Sequence, residues 1–252
     1  MADTSCCKIR RTTASDYEGI LQLMRCSFLR DEPLHVAVGL TDEDGACLEM
    51  EKFCLETLAD GLSVVAVAPG GEVVGACLNG CHEPGHVGQM EAEAESCPNP
   101  KLKKILRFLA TLERRADVFG KFPEVDKLLE IRTIAVDGAW RGRGVATALM
   151  ERTRQIAPEL GFALIKVDCT SEFSALAMMK LDAHCVFSMK YADYCAPNSD
   201  EPVFEPEPPH TGVKTFIQIV PQGEHSSQAQ FDTDRSASWG VEEFENRTTN
   251  TF

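Results

Sequence analysis

The stretch Trp140-Arg-Gly-Arg-Gly-Val-Ala-Thr-Ala-Leu-Met150 alternates two arginines with two glycines and then becomes a small-residue, helix-forming run. A turn that opens a helix leaves backbone N–H groups unpaired and pointing one way. The helix dipole adds partial positive charge there, so the place suits an anion. Gly142 and Gly144 carry no side chain and let a phosphate come close to the main chain. No Gly-Lys-Ser/Thr follows, which excludes a P-loop. Ala146 and Thr147 stand where a dinucleotide fingerprint would want further glycine. What remains is the pattern Arg-x-x-Gly-x-Ala, filled by Arg141, Gly144 and Ala146.

The cysteines offer a second possible chemistry. There are eleven, an odd number and scattered, and most fall inside apolar or helical patterns (Cys47, Cys54, Cys77, Cys169, Cys185). There a thiol acts as a small hydrophobe, and reduced cysteines are expected. Cys77, Cys81, His82 and His86 could be drawn as a zinc set, but Cys77 lies in a strand pattern and the spacing matches no familiar finger, so no metal is expected. A formal net charge of −14 argues against nucleic acid as a partner, since phosphate binding needs a basic field. The same charge suits a small cationic substrate. Nothing approaches the roughly 18 apolar residues of a membrane span, and the N-terminus lacks the apolar core of a secretory signal. A cytoplasmic monomer is expected.

At 252 residues, with 44% hydrophobic and 25% charged content, the chain is long enough for one domain with a substantial core. The pattern predicts an edge strand at residues 8–12. Ser15 or Asp16 would cap a helix with Ile20, Leu21, Leu23, Met24 and Phe28 on one face, ending near Asp31-Glu32-Pro33. A second helix is expected to open at Thr41-Asp42-Glu43-Asp44 and run to about Ala59. Strands at residues 62–68 and 72–79, split by Pro69-Gly70-Gly71, read as a hairpin. Residues 80–100 read as a loop, followed by a helix bearing Leu102, Ile105, Leu106, Leu109 and Leu112. A strand at 129–136 precedes the glycine-arginine stretch, whose helix ends around Ala157-Pro158. Strands at 163–169, 185–191 and 213–220 and a helix at 173–181 complete a mixed α/β domain over residues 1–220. Residues 197–209 read as a loop. Residues 221–252 turn polar with few apolar anchors and are expected to lack a fold of their own.

Arg-x-x-Gly-x-Ala after a strand is the pyrophosphate-binding signature of the GNAT superfamily of acyl-CoA-dependent N-acyltransferases. More narrowly, the chain resembles the arylalkylamine N-acetyltransferase-like branch known from insects and other arthropods. The stretches that carry this are Phe28-Leu-Arg-Asp-Glu-Pro-Leu34, Gly61-Leu-Ser-Val-Val-Ala66, Gly75-Ala-Cys-Leu-Asn79, Ile134-Ala-Val-Asp-Gly-Ala-Trp-Arg-Gly-Arg-Gly-Val-Ala146, Asp168-Cys-Thr-Ser-Glu-Phe-Ser-Ala175 and Tyr191-Ala-Asp-Tyr194. They span roughly residues 8–220, and Asp-Glu-Pro-Leu is particular to this branch.

The resemblance implies a GNAT fold, a mixed and mostly antiparallel sheet of about seven strands flanked by helices. It also implies acetyl-CoA as acyl donor and a small arylalkylamine (dopamine, serotonin, tyramine or octopamine) as acceptor. Backbone groups of Ile134, Ala135 and Val136 would hold the pantetheine arm. The amides of Arg141, Gly142, Arg143, Gly144, Val145 and Ala146 would hold the diphosphate, with Ser171 also at the coenzyme. An ammonium must lose a proton before it attacks a thioester. By resemblance Glu32 is the base, and Ser174 or Thr170 the hydroxyl that protonates the departing thiolate. Both could equally be helix caps. Many GNAT enzymes use a tyrosine on that helix, where this chain has Met178. Attack would be direct, in a ternary complex; Cys169 has no nearby histidine in sequence and suits core packing instead. A polyamine acceptor, a longer acyl donor, and a regulatory acyl-CoA binder without turnover are the rival readings. The last is prompted by Leu181-Asp182-Ala183 in place of the family's Leu-Gly-Phe, where glycine commonly ends the helix in a left-handed turn.

Overall fold

The computed structural model describes residues 7–41, 46–196 and 198–220. β1 (Lys8–Arg11) leads into α1 (Tyr17–Leu23), which continues through a π-helical turn (Met24–Phe28) into α2 (Leu29–Asp31). Glu32 breaks that run with extended backbone, and α3 (Pro33–Val38) starts at once behind it. α4 (Leu48–Ala59) comes next, then the hairpin β2 (Val64–Val67) and β3 (Val73–His82). α5 (Val87–Ser96), α6 (Pro100–Ala116) and α7 (Val118–Lys121) lead to β4 (Leu128–Val136). α8 (Val145–Ile156), β5 (Leu164–Cys169), α9 (Glu172–Lys180), β6 (His184–Lys190) and β7 (Gly212–Ile219) complete the chain.

The seven strands form one sheet in the order β1-β2-β3-β4-β5-β7-β6. Every pair is antiparallel except β4 with β5. That parallel pair sets up the site. β4 and β5 register only at Leu129↔Ile165, Glu130↔Lys166 and Ile131↔Val167. β4 then runs on to Val136 against β3 alone, and β5 to Cys169 against β7 alone. The two central strands therefore part towards their C-terminal ends, leaving one backbone edge of Ile134–Val136 without a strand beside it.

Strand alternation divides the core between the two faces of the sheet. Val64, Cys77, Leu129, Ile131, Ile165 and Val167 face α8, with Leu149 and Ile156 from that helix. Val65, Ala76 and Leu78 face α1 and α4 through Ile20, Met24, Cys54 and Leu58. A third cluster joins α6 to the β6 end through Phe108, Leu112, Tyr191 and Phe204, and Leu29 and Leu34 pack into it.

Several expected boundaries move. Asp16 stands at the N-cap position of α1 but makes no side-chain cap bond to it; its carboxylate instead closes a capping box with Thr13, the N-cap of a 3-10 turn (Ala14–Asp16) that precedes the helix. The second helix begins at Leu48; residues 42–44 of its expected start lie outside the described residues, as do Pro197 and residues 221–252. Residues 80–100 are not a loop. β3 runs to His82 and α5 fills 87–96, because Val87, Met90 and Ala94 meet at helical spacing. Pro33 does end the helix before it but also begins α3, being pre-shaped for a first helical turn. No described helix is long and apolar enough to cross a membrane.

Candidate active site

The glycine-arginine stretch lies where β4 leaves the sheet. Asp137 anchors it: its N–H donates to Val74 O at 3.0 Å, and its Oδ1 accepts from Ala139 N at 2.9 Å. Gly142 and Gly144 then take φ of +74° and +81°, angles that an L-side chain resists. Gly144 is the N-cap of α8 and offers no side chain to the first turn. Among the described residues the N–H groups from Gly142 to Thr147 have no acceptor, whereas that of Arg141, expected among the diphosphate donors, donates to Gly138 O at 3.4 Å. They open where β4 and β5 part, with nothing within 4 Å of the place a Gly142 side chain would fill.

The two arginines have different fates. Arg143 lies over the Trp140 ring at 5.2 Å. Arg141 turns back, donating from Nε to Val136 O at 3.1 Å and from Nη2 to Asp31 Oδ2 at 2.5 Å. That ion pair crosses from the anion loop to the residue before Glu32.

Glu32 caps α3, its Oε2 accepting the His35 N–H at 2.7 Å. It is not a solvated helix-end acid: only 9% of it is exposed, and Oε1 is buried with no partner. Tyr191 stands near enough that the Glu32 charge, after burial, raises its phenol further. The Tyr191 hydroxyl donates to Thr170 O at 2.6 Å, tying the Glu32 side of the cleft to the start of α9.

Ser171 is the N-cap of α9, accepting the Ser174 N–H at 3.0 Å. Ser174 Oγ donates to Ser171 O at 2.9 Å and lies 2.9 Å from Ser171 Oγ. Both serine hydroxyls are thus engaged in the cap, whereas that of Thr170 has no hydrogen bond among the described residues. Burial pushes the Cys169 thiol up to about 12, with Ser174 opposing, so it is no thiolate nucleophile. Met178 is core. Asp182 adopts φ +55°, so the left-handed helix end persists without glycine.

Sequence reading missed three participants in this region. Tyr191 donates to Thr170 O within reach of the Glu32 charge. His210 accepts the Glu172 N–H on Nδ1 at 3.2 Å, at the mouth of α9 from 38 residues away. Lys166 is fully buried, with Nζ 2.7 Å from both Glu130 Oε1 and Asp168 Oδ2 and also paired with Glu113. The sequence signal for Lys166 was Leu164-Ile-Lys-Val-Asp168, two charges at alternate positions of an apolar strand, which puts both on one face. The three carboxylates form the only described group of three acidic, histidine or cysteine residues close enough to share an ion. The lysine ammonium is already their cation. The Cys77, Cys81, His82, His86 set is not such a group: Cys77 is buried in β3, and His82 and His86 pair with Glu130 and Glu113.

The residues expected at a coenzyme therefore converge. Ile134–Val136 offer backbone at the parting of the strands, and residues 142–147 offer unpaired amides beside it. Glu32 lies across from the anion loop through Asp31 and Arg141. Such a site fits a diphosphate with an extended amide-bearing arm.

The profile of the acetyltransferase (GNAT) family matches residues 40–182. Arylalkylamine N-acetyltransferase 2 from Aedes aegypti superposes with a TM-score of 0.81 at 29% identity, covering 85% of this chain and 99% of that one. The polyamine N-acetyltransferase of Drosophila melanogaster, which forms N-acetylagmatine, gives 0.76 at 28%, covering 84% and 99%. A mosquito arylalkylamine N-acetyltransferase-like 5b gives 0.76 at 27% with the same coverage.

Proposed function

This chain belongs to the acetyltransferase (GNAT) family, and from that premise we propose that it moves the acetyl group of acetyl-CoA to the primary amine of an arylalkylamine. The observation that carries the reading is the row of unpaired amides from Gly142 to Thr147, opening beside the parted β4 and β5 and linked through Arg141 and Asp31 to a buried carboxylate. Acetyl-CoA supplies the activated acyl carbon. The amides of residues 142–147 bind the diphosphate, and the backbone of Ile134, Ala135 and Val136 aligns the pantetheine arm.

Glu32 Oε1 receives the amine and takes its proton. Oε2 is held by the His35 N–H, which leaves Oε1 as the unpartnered oxygen for this role. Thr170 is the better-placed of the two hydroxyls to protonate the thiolate, because Ser174 is spent on the cap. Support for an arylalkylamine acceptor comes from the likeness to the Aedes aegypti enzyme, a TM-score of 0.81 at 29% identity.

A polyamine acceptor is the second reading. It is favoured by a likeness to the Drosophila polyamine enzyme nearly equal to that for the mosquito arylalkylamine enzyme. A panel of arylalkylamines and polyamines with acetyl-CoA, read by free thiol release, tests both. Turnover of polyamines alone removes the first reading. Acetyl-CoA binding in calorimetry without product from any amine removes both.

A further inference from the structure

The segment that presents Glu32 also carries a histidine that the proposed mechanism leaves unused. His35 sits one turn into α3, on the same side as Glu32. Its ring Nε2 is 3.7 Å from Glu32 Oε2, the oxygen already held by its own main-chain N–H. His35 is 4% exposed, and Phe28 meets its ring edge-on at 5.1 Å, fixing it from the other side. Nδ1 is buried without a hydrogen-bond partner, and so is Glu32 Oε1. An imidazole and a carboxylate, both shut from water, thus face each other with one free polar atom apiece.

We infer that His35 is a positioning residue for the acyl transfer: it holds Glu32 with Oε1 turned to the amine and shares the proton that silences the base. The inference rests on Glu32 as the base. Its consequence is that the acid limb of activity belongs to the pair, not to Glu32 alone. Burial lowers the pKa of His35, which favours the neutral ring. The Glu32 charge and the carbonyls of Phe28 and Leu29 oppose that effect in part.

When the pH falls, one proton inactivates from either site. On Glu32 it removes the accepting lone pair. On His35 it makes an ion pair with Oε2 and withdraws the base. Two sites for one inactivating proton place the limb at a higher pH than a lone carboxylate would. The other charged or titratable groups nearby are committed elsewhere. Tyr191, in the turn after β6, donates to Thr170 O; Lys101 of α6 bonds Gly39 O; Asp31 pairs with Arg141.

The test is the pH dependence of kcat/KM in the full chain, with acetyl-CoA and the best amine of the panel, for wild type, His35→Asn and Glu32→Gln. His35→Asn keeps the main-chain N–H that holds Oε2. Its acid limb is expected to move down by about one pH unit, with KM for acetyl-CoA unchanged. A limb that stays in place while Glu32→Gln abolishes turnover overturns the His35 inference alone. Full turnover by Glu32→Gln overturns the base reading, and this inference with it. Should His35→Asn fail to fold, the His35 ring proton resonances of the wild-type enzyme decide. They are expected to titrate with the same midpoint as the acid limb, and a separate midpoint refutes the sharing.

Discussion

Replacing Lys166 with methionine removes the cation from a buried cluster without changing its volume much. Lys166 is 0% exposed, and Glu113 and Glu130 beside it are 2% and 8% exposed. In the wild type, burial would push Glu130 up, yet Lys166 and His82 together hold it well below the ordinary carboxylate range. Glu113 is likewise lowered once Lys166 and His86 outweigh burial. Asp168 is the exception: burial raises it, Lys166 opposes, and the two glutamates add to the rise. Lys166 itself would be lowered by burial, but Asp168, Glu130 and Glu113 lift it well above its usual value.

Glu113 and Glu130, being lowered on folding, stabilise the protein above their unfolded pKa, and that stability is lost as the pH falls through their folded values. Lys166, being raised, stabilises below its unfolded pKa and loses this as the pH rises through its folded one. Asp168, raised, works against folding as it ionises. Without Lys166 the three carboxylates have no central counter-ion and all their folded pKa values rise. Breaking such a buried set by removing one partner costs about 3–5 kcal/mol. At roughly 2–4 °C per kcal/mol for a domain of this size, Lys166→Met is expected to melt about 6–20 °C below wild type near neutral pH. The deficit must shrink on acidification, because protonation relieves the uncompensated acids. Thermal melts of both proteins at neutral and mildly acidic pH measure this. A variant that melts with the wild type at neutral pH, or whose deficit widens with acid, refutes the reading of Lys166 as the cluster's cation.

Gly144→Ala puts a Cβ on backbone at φ +81°, a conformation that costs an ordinary side chain about 1–2 kcal/mol, at the mouth of the anion loop. KM for acetyl-CoA is expected to rise by roughly tenfold while the melting temperature falls by only a few degrees; an unchanged KM would separate this loop from the coenzyme. Cys169→Ala should keep wild-type kcat and lose some stability, since its thiol is buried and held protonated. An acetylated Cys169 in mass spectra of the enzyme with acetyl-CoA would contradict that. Asp182→Gly should raise the melting temperature by a few degrees, relieving about 1 kcal/mol of left-handed strain at φ +55°. No gain in a thermal scan would mean that Asp182 is as comfortable there as glycine.

The parts legible in the sequence were those with local causes. Alternation gave β2–β4 and β5, because a strand's side chains fall on opposite faces whatever lies beyond them. Spacing marked α6 and α8, and the bare run Gly142-Arg-Gly144 marked a tight turn into a helix, because left-handed backbone and unpaired N–H groups are properties of a few successive residues. α3 and α5 were missed for a related reason. Pro33 and the Gly85–Gly88 region look like breaks locally, and they hide the helical spacing of Val87, Met90 and Ala94 and the first-turn role of Pro33.

Tertiary structure alone decided the rest. The parting of β4 from β5 beyond Ile131 and Val167 is a relation between strands about 30 residues apart in the chain, each held on its other edge by β3 or β7. The Arg141–Asp31 pair joins residues 110 apart, and His210 reaches α9 across 38. Burial is the deepest of these. No pattern in Asp31-Glu-Pro-Leu-His35 says that water is excluded from Glu32 and His35, yet that exclusion is what lowers the pKa of His35.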